Sequence, residues 1–322
     1  MSHPNTVEEV SQLQPTGQGP ELFVTCASYE DRCVRSSEIL GSFRPQQSVI
    51  LWYDEPELSA IRTENKNTIS ANLSSQLGPH ARVIEMPISL LDPLSASESI
   101  VQEIAVLVRE HSHMSLTIDI SVLTKQHLFL ILRRLESMRP QIKEIRLLYS
   151  FVDSYGFLRG RSVSRGLERI GIVPSFGGLY HLDRKNLLVL FLGFEGPRAF
   201  AVYERYDPSR TIAIIGKPSY KEGWDKFSEK LNETLLEQND VELRYASVSL
   251  PEQVAETLRG IHQEYSDQYN ILISPMGTKM QGIGVYLFCE AQKDVQVVLP
   301  TPIENPEKNF SQGVGRTLEY YL

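Results

Sequence analysis

Two observations predict an α/β fold made of two tandem Rossmann-like, doubly wound parallel sheets that are related by internal duplication. First, runs of β-branched and aromatic residues alternate with helical periodicity along most of the chain, which favours parallel strands joined by helical crossovers. Second, the order of these elements repeats in the second half. The length of 322 residues is typical of about two domains. With 41% hydrophobic and 22% charged residues, the chain has enough apolar material for two cores.

In the first half, a short apolar run opens each strand, and a polar loop leads from each of the first four strands into a helix. The predicted strands are 22–26, 48–53, 81–86, 116–120 and 144–149. The predicted helices are 32–40, 65–77, 95–110 and 125–138, of which the third begins after a Ser-rich cap.

The second half repeats this order from residue 186 onwards. Its predicted strands are 187–192, 211–215, 241–245, 270–273 and 295–299, and its predicted helices are 198–206, 224–238, 251–264 and 280–291. The apolar run at 187–192 is far shorter than the roughly 20 residues that span a bilayer, so it predicts a buried strand.

These patterns divide the chain into three predicted parts. Residues 1–19 are rich in Pro, Gln and Gly, contain no signal-peptide pattern, and are expected to form a flexible tail. Residues 20–183 are expected to form the first Rossmann-like domain, and residues 184–322 the second.

Loop residues recur between the halves, and this recurrence is the evidence for duplication. After the first strand of each half, an aromatic residue is followed by Glu and Arg. After the fourth strand, a Ser precedes Thr-Lys at a helix start. After the fifth strand, both halves carry Ser-x-Gly. The three pairs are Tyr29–Arg32 with Phe194–Arg198, Ser121–Lys125 with Ser274–Lys279, and 164–167 with 311–314. The alternative is two unrelated Rossmann-like domains with chance matches.

The first-strand and fourth-strand loops are expected to meet at the carboxyl edge of each sheet, where ligands of open α/β proteins bind. Helix N-termini there favour phosphate and other anions, and Gly277 allows close approach of a ligand. The predicted ligand-binding residues are Ser28, Tyr29, Arg32, Ser121, Thr124, Lys125, Phe194, Arg198, Ser274, Gly277, Thr278 and Lys279.

Each of these residues also has a structural interpretation. Thr124 and Thr278 are in the position of ordinary helix caps, the lysines can be solvated surface charges, and the Glu–Arg pairs can be local ion pairs of small energetic weight. Asp119 lies in an otherwise apolar strand, where a buried carboxylate requires a partner. Glu30, Asp119 and Glu195 are the candidate catalytic carboxylates.

Composition and missing motifs exclude several functions. The formal charge of -8 argues against a protein that coats nucleic acid. There is no Gly-x-Gly-x-x-Gly after the first strand and no Walker A motif, so no nucleotide cofactor is predicted. Three cysteines without CxxC spacing, and histidines without metal-ligand spacing, predict neither disulfides nor a metal. A cytoplasmic location without membrane contact is the expectation.

The stretch Ile-Ser-Pro-Met-Gly-Thr-Lys-Met at 273–280 resembles the signature of CARF domains, the CRISPR-associated Rossmann-fold sensors. The paired halves are similar to those of SAVED domains as well. The resemblance implies a cyclic oligonucleotide-like second messenger bound by Gly277, Thr278 and Lys279, with Thr124 and Lys125 as weaker counterparts. Leu123 stands where the family prefers Gly.

The resemblance implies a sensor in prokaryotic anti-phage defence that signals to an effector subunit, with a homo-oligomer as a further option. Two alternatives stay open. One is an enzyme that hydrolyses a nucleotide, as a phosphodiesterase or as a nucleoside hydrolase that uses Glu30 or Glu195 with Asp119. The other is a non-catalytic scaffold that binds a protein.

Overall fold

The computed structural model describes residues 6–17, 19–54, 59–78, 81–110, 113–155, 169–301 and 310–322. The chain forms two compact units. Unit 1 comprises Met1–Tyr155 and Glu307–Leu322, and unit 2 comprises Gly156–Pro306. Among the described residues, no helix combines the length and the apolar character needed to cross a bilayer.

Unit 1 contains a seven-stranded sheet and four α-helices in its described part. Its strands are β1 (Val7–Val10), β2 (Glu21–Ala27), β3 (Gln47–Tyr53), β4 (Arg82–Ile88), β5 (Met114–Asp119), β6 (Ile142–Tyr155) and β13 (Ser311–Tyr321). Its helices are α1 (Arg35–Glu38), α2 (Ala60–Gln76), α3 (Pro93–Glu110) and α4 (Lys125–Leu135). The predicted helix at 32–40 is reduced to a 3₁₀ turn, Asp31–Cys33, and the four residues of α1.

Unit 2 contains a six-stranded sheet and five α-helices in its described part. Its strands are β7 (Arg169–Ile172), β8 (Lys185–Leu192), β9 (Arg210–Gly216), β10 (Val241–Ala246), β11 (Tyr269–Pro275) and β12 (Gln296–Thr301). Its helices are α5 (Gly196–Tyr206), α6 (Trp224–Leu231), α7 (Glu233–Leu236), α8 (Pro251–Tyr265) and α9 (Lys279–Ala291).

The two sheets have the same parallel core. The strand order is β1-β13-β6-β5-β2-β3-β4 in unit 1 and β10-β9-β8-β11-β12-β7 in unit 2. In each sheet, the five parallel strands follow the order third, second, first, fourth, fifth, which is the doubly wound order with a switch point between the first and fourth strands. The predicted fold class of two Rossmann-like parallel sheets is confirmed, and the shared order is that of a duplication.

A sixth, antiparallel strand follows the fifth strand in each sheet, and the two sixth strands are exchanged along the chain. β7 comes after β6 in sequence but pairs with β12, whereas β13 comes after β12 but pairs with β6. The predicted ranges 20–183 and 184–322 are therefore wrong at their ends. Local sequence patterns locate strands but do not choose the sheet that a strand joins.

The predicted flexible tail at 1–19 is also wrong in part. Val7–Val10 forms β1, which pairs antiparallel with β13 at the edge of the unit 1 sheet. Leu13 is fully buried, and its N–H donates to the Ile39 carbonyl. The Pro- and Gln-rich composition gave no signal for this edge strand, which is ordered by pairing with residues 317–320 of β13.

The cores are built on both sheets by the same kind of packing. In unit 2, buried residues of β8 such as Leu188 and Leu190 pack with Val202 of α5 and Leu235 of α7. α8 and α9 lie close together, since a Cβ added at Gly284 would be 2.5 Å from the Val254 Cβ. Of the predicted Ser-x-Gly pair, 164–167 lies outside the described residues, and Ser311 begins β13.

Because β13 completes the unit 1 core, we expect Tyr320→Ala to lower the free energy of unfolding by about 3–4 kcal/mol, the range for loss of a large buried ring. Tyr320 is fully buried, whereas Val314 in the same strand is 37% exposed. Val314→Ala should therefore change stability by less than about 1 kcal/mol. Urea titration followed by circular dichroism measures both, and equal effects of the two variants would contradict this assignment of β13.

Candidate functional site

The candidate site of each unit lies at the carboxyl ends of its first and fourth strands. In unit 1, Val24 of β2 pairs with Ile118 of β5. In unit 2, Val189 of β8 pairs with Ile273 of β11. If the two first strands are aligned on Tyr29 and Phe194, Asp119 and Ser274 occupy equivalent positions, each one residue beyond these pairs. The loop sequences alone match Ser121 with Ser274 instead.

In unit 1, Glu30 and Arg32 form a buried ion pair that holds the sheet together. The guanidinium donates to both Glu30 carboxylate oxygens, at 3.0 and 3.1 Å, and to the Ser150 carbonyl of β6 at 3.1 Å. Ser311 of β13 donates to the Glu30 Oε2 at 2.8 Å. Burial, the largest single effect, lowers the pKa of Arg32, but the Glu30 carboxylate together with Tyr149 and Tyr155 outweighs it, so the pKa of Arg32 is raised. Glu30 and Arg32 thus connect the loop after β2 to β6 and β13.

Ser28 and Tyr29 also have partners within unit 1. The buried Ser28 accepts hydrogen bonds at its carbonyl from the Asn65 side chain at 2.8 Å and the Cys33 thiol at 3.4 Å. The Tyr29 ring packs edge-to-face on Phe310 at 5.9 Å between ring centroids, and the Arg62 guanidinium lies 5.2 Å from its centroid. Tyr29 therefore contacts aromatic and cationic side chains of its own unit.

Asp119, at the end of β5, is 2% exposed. Its Oδ1 accepts the Ser121 N–H at 2.9 Å, while its Oδ2 has no hydrogen-bond partner among the described residues. Burial raises the pKa of Asp119, and hydrogen bonding from Ser121 and the charge of Arg32 only partly offset that rise. The carboxylate is thus an incompletely satisfied buried acid beside the switch point.

Ser121 and Thr124 serve the loop that follows β5. The Ser121 hydroxyl accepts the Ser150 N–H at 2.8 Å. Thr124 caps α4 by accepting the His127 N–H at 3.3 Å, and its hydroxyl lies 2.6 Å from the His127 Nδ1. Lys125 is the first residue of α4 and is partly exposed. The capping interpretation of Thr124 is correct, so its hydroxyl is already occupied.

His127 is fully buried and bridges two segments. Its Nε2 lies 3.0 Å from the Ser89 carbonyl oxygen. Because a carbonyl only accepts hydrogen bonds, Nε2 carries the proton of the neutral ring, and Nδ1 accepts from the Thr124 hydroxyl. Burial lowers the pKa of His127 to about 4, so the ring is neutral at pH 7. The Tyr53 hydroxyl, on the neighbouring strand, accepts the Thr124 N–H at 3.0 Å.

In unit 2, Glu195 and Arg198 reproduce the arrangement of Glu30 and Arg32. Arg198 donates to Glu195 at 2.7 Å and to the Pro300 carbonyl of β12, the fifth parallel strand, at 3.2 Å. The Phe194 ring packs edge-to-face on Trp224, with 5.4 Å between centroids. The Glu–Arg pair of each unit therefore connects the segment after the first strand to the fifth parallel strand, and the unit 2 pair is more exposed than the unit 1 pair.

The glycines of unit 2 bring the two loops into close contact. A Cβ added at Gly193 would be 3.3 Å from the Met276 carbonyl oxygen and 4.0 Å from the Gly277 Cα. The Ser228 hydroxyl and the Asn232 amide both donate to the Gly193 carbonyl, at 2.9 and 3.0 Å. The loops after β8 and β11 thus meet backbone to backbone, as the sequence predicts.

Thr278 begins α9 with a reciprocal capping box. Its hydroxyl accepts the Gln281 N–H at 3.1 Å, and the Gln281 Oε1 accepts the Thr278 N–H at 2.9 Å. The Thr278 hydroxyl also donates to the Val248 carbonyl at 2.6 Å. Lys279 is the first residue of α9 and is partly exposed.

Two buried polar side chains of unit 2 are not fully satisfied. Ser274 is 0% exposed and Gln281 is 1% exposed. The Ser274 Oγ and the Gln281 Nε2 have no hydrogen-bond partner among the described residues. Buried polar atoms without partners are rare in folded proteins, and they indicate a missing donor or acceptor such as a ligand or water.

Sequence reasoning missed several residues of these sites. His127 and Gln281 complete the caps of α4 and α9, and the Thr-x-x-Gln spacing of Thr278 and Gln281 was a signal for the second. Sequence reasoning also missed Arg62 and Lys66. Their spacing of four residues in α2 predicts two positive charges on one face of that helix. Among the described residues, no group of three or more His, Cys, Asp or Glu side chains is arranged to hold a metal.

The buried neutral His127 makes stability depend on pH. Its folded pKa of about 4 lies below the unfolded value near 6.5, so protons bind the unfolded chain first and stability falls as pH falls from about 6.5 towards 4. Relative to His127→Gln, wild type should lose about 1.4 kcal/mol between pH 7.5 and pH 5.5. Urea titrations at both pH values measure this, and a difference that does not change with pH would contradict it.

The raised pKa of Asp119 makes stability change with pH in the opposite direction. A folded pKa above the unfolded value gives stability that is present at low pH and lost as pH rises through the folded pKa. Asp119→Asn retains an acceptor for the Ser121 N–H and should be more stable than wild type at pH 7, with the difference vanishing near pH 3. Thermal unfolding at both pH values checks this; a less stable variant at pH 7 would show that the charge is needed.

No protein-family model and no curated protein matches the chain. Among solved structures, the chain is similar to a ketoreductase domain from the bacillaene assembly line, with a TM-score of 0.23 and 12% identity over 91% of this chain and 71% of that one. It is also similar to an N-terminal ketoreductase from the macrolactin assembly line, with a TM-score of 0.25 and 10% identity over 91% of this chain and 72% of that one. At these TM-scores, the alignments carry no argument about function.

Proposed function

We propose that this protein binds a nucleotide-type anion at the carboxyl edge of unit 2 and that it acts as a CARF-like or SAVED-like sensor of a cyclic oligonucleotide-like messenger. In this proposal, it passes the signal to a partner effector in prokaryotic anti-phage defence. The observation that carries the binding proposal is the pair of unsatisfied, fully buried polar atoms of Ser274 and Gln281 beside the Gly-Thr-Lys turn.

The chemistry of this edge suits a phosphate. The N-terminus of α9 has a positive dipole end and backbone N–H groups that lack intrahelical partners. Lys279 adds an ammonium at the first position of the helix. A Cβ at Gly277 would lie 2.0 Å from the Gln281 Oε1, so a side chain there would displace the amide that accepts the Thr278 N–H.

The two units support unequal binding. In unit 1, the corresponding loop carries Leu123, which is fully buried, and Val122, which is 8% exposed. These apolar side chains fill the space around a turn that is glycine in unit 2. We therefore assign the ligand to unit 2, with Thr124 and Lys125 contributing at most weakly.

The arrangement favours binding over hydrolysis. Glu30 and Glu195 are both engaged by arginines that also hold the fifth parallel strand. Both carboxylates therefore already accept hydrogen bonds from arginine side chains. Of the three candidate catalytic residues, Asp119 alone has a buried oxygen without a hydrogen-bond partner among the described residues, and it belongs to unit 1.

We expect Lys279→Ala to weaken nucleotide binding by about 10- to 100-fold, the effect of losing one charge-assisted hydrogen bond. Lys293→Ala, at an exposed lysine of unit 2, removes the same charge away from the edge and should bind like wild type. Thermal-shift screening of cyclic and linear oligonucleotides, followed by calorimetry, measures this.

Two outcomes would overturn the proposal. If no nucleotide stabilises the wild-type protein, or if Lys279→Ala and Lys293→Ala bind equally, the Gly-Thr-Lys turn is not the site. Chromatography of the nucleotide after incubation distinguishes a sensor from an enzyme, because only an enzyme converts the nucleotide that it binds.

A further inference from the structure

A small cavity lies in unit 1 on the β3 side of its first strand. It has a volume of about 90 Å³ and lies beside α2 at the carboxyl ends of β2 and β3. Its lining residues are Ala27, Trp52, Tyr53, Arg62, Thr63 and Lys66. None of these residues belongs to the Gly-Thr-Lys turn, so a ligand here would be independent of the proposed function.

The lining carries two cations on one helix face. Arg62 and Lys66 are four residues apart in α2, so their side chains lie on the same face of the helix. Both line the cavity, so one bound anion would contact both positive charges. Lys66 is partly neutralised by Glu85, whose carboxylate lies 2.8 Å from its ammonium and is 39% exposed.

Aromatic rings hold both cations in place. The Arg62 guanidinium lies 5.2 Å from the Tyr29 ring centroid, and the Lys66 ammonium lies 4.9 Å from the Trp52 ring centroid. These are cation–π distances, and they reduce the side-chain freedom that anion binding would otherwise remove. The cationic wall is therefore organised before a ligand arrives.

Size selects the ligand. Since a water molecule takes about 30 Å³ of liquid volume, 90 Å³ is the space of about three waters or of one tetrahedral oxyanion. A whole nucleotide does not fit, but one phosphate group does. Arginine and lysine are the side chains that bind phosphate best, through forked hydrogen bonds and a compact charge respectively.

We propose that this cavity of unit 1 binds a single phosphate group between Arg62 and Lys66. The phosphate comes either from inorganic phosphate or from the terminal phosphate of a monoester whose remainder lies outside the cavity. Trp52, which forms one wall, reports on occupancy by its fluorescence.

The test uses the full chain with Trp224→Phe, so that Trp52 is the one remaining tryptophan. We expect saturable change of Trp52 emission on titration with inorganic phosphate, weakened at least tenfold by Lys66→Gln and abolished by Arg62→Gln with Lys66→Gln. Arg109→Gln, which removes an exposed charge of α3, is the matched control and should leave the affinity unchanged. Circular dichroism verifies that each variant is folded.

A parallel titration with adenosine 5′-monophosphate separates the two sources. Tighter binding of the monophosphate than of inorganic phosphate supports a monoester terminus, and equal or weaker binding supports free phosphate. Absence of a saturable response to both probes, or equal affinities in Lys66→Gln and Arg109→Gln, would overturn the proposal. Lys279→Ala should leave the Trp52 response intact, so failure at the unit 2 edge and failure here are distinguishable.

Discussion

Two arginines that reach from the first parallel strand of each unit to its fifth are the interactions on which both sheet edges depend. Arg32 joins Glu30 to the Ser150 carbonyl of β6, and Arg198 joins Glu195 to the Pro300 carbonyl of β12. A buried guanidinium is tolerated only with a carboxylate and further acceptors around it. The buried Arg32 has both, and the partly exposed Arg198 likewise contacts a carboxylate and a carbonyl, so each connects the segment after the first strand to the fifth strand.

The two edges then differ in what is left for a ligand. In unit 1, the Arg32–Glu30 pair is anchored to β13 through Ser311, and Leu123 fills the adjacent turn. In unit 2, Gly277 occupies the corresponding turn, and the buried Ser274 and Gln281 side chains retain unsatisfied polar atoms. The small cavity beside α2 in unit 1 lies at the carboxyl ends of β2 and β3 and is lined by Arg62 and Lys66.

Because the sixth strands are exchanged, neither sheet can be completed from one continuous stretch of sequence. β13 pairs with β6 in unit 1 although β7–β12 lie between them in sequence, and β7 belongs to unit 2 although it is the next strand after β6. In unit 1, β6 and β13 are far apart in sequence. In unit 2, β7 and β12 are far apart as well. Contacts of this kind form late, because the entropy of closing a long loop is lost before they stabilise the fold.

The sequence by itself determined the strand–helix alternation, the duplicated parallel cores and the meeting of the loops at Gly193 and Gly277, because hydrophobic period and glycine positions are local signals. It predicted correctly that Thr124 and Thr278 have the residue type of helix caps. Only the tertiary structure decided that β1 is ordered, that β7 and β13 join distant strands, and that Arg32 and Arg198 bond to carbonyls of the fifth strands. These features depend on contacts between residues that are far apart in sequence. A local sequence pattern does not indicate which distant group will pair with a buried charge or a strand edge.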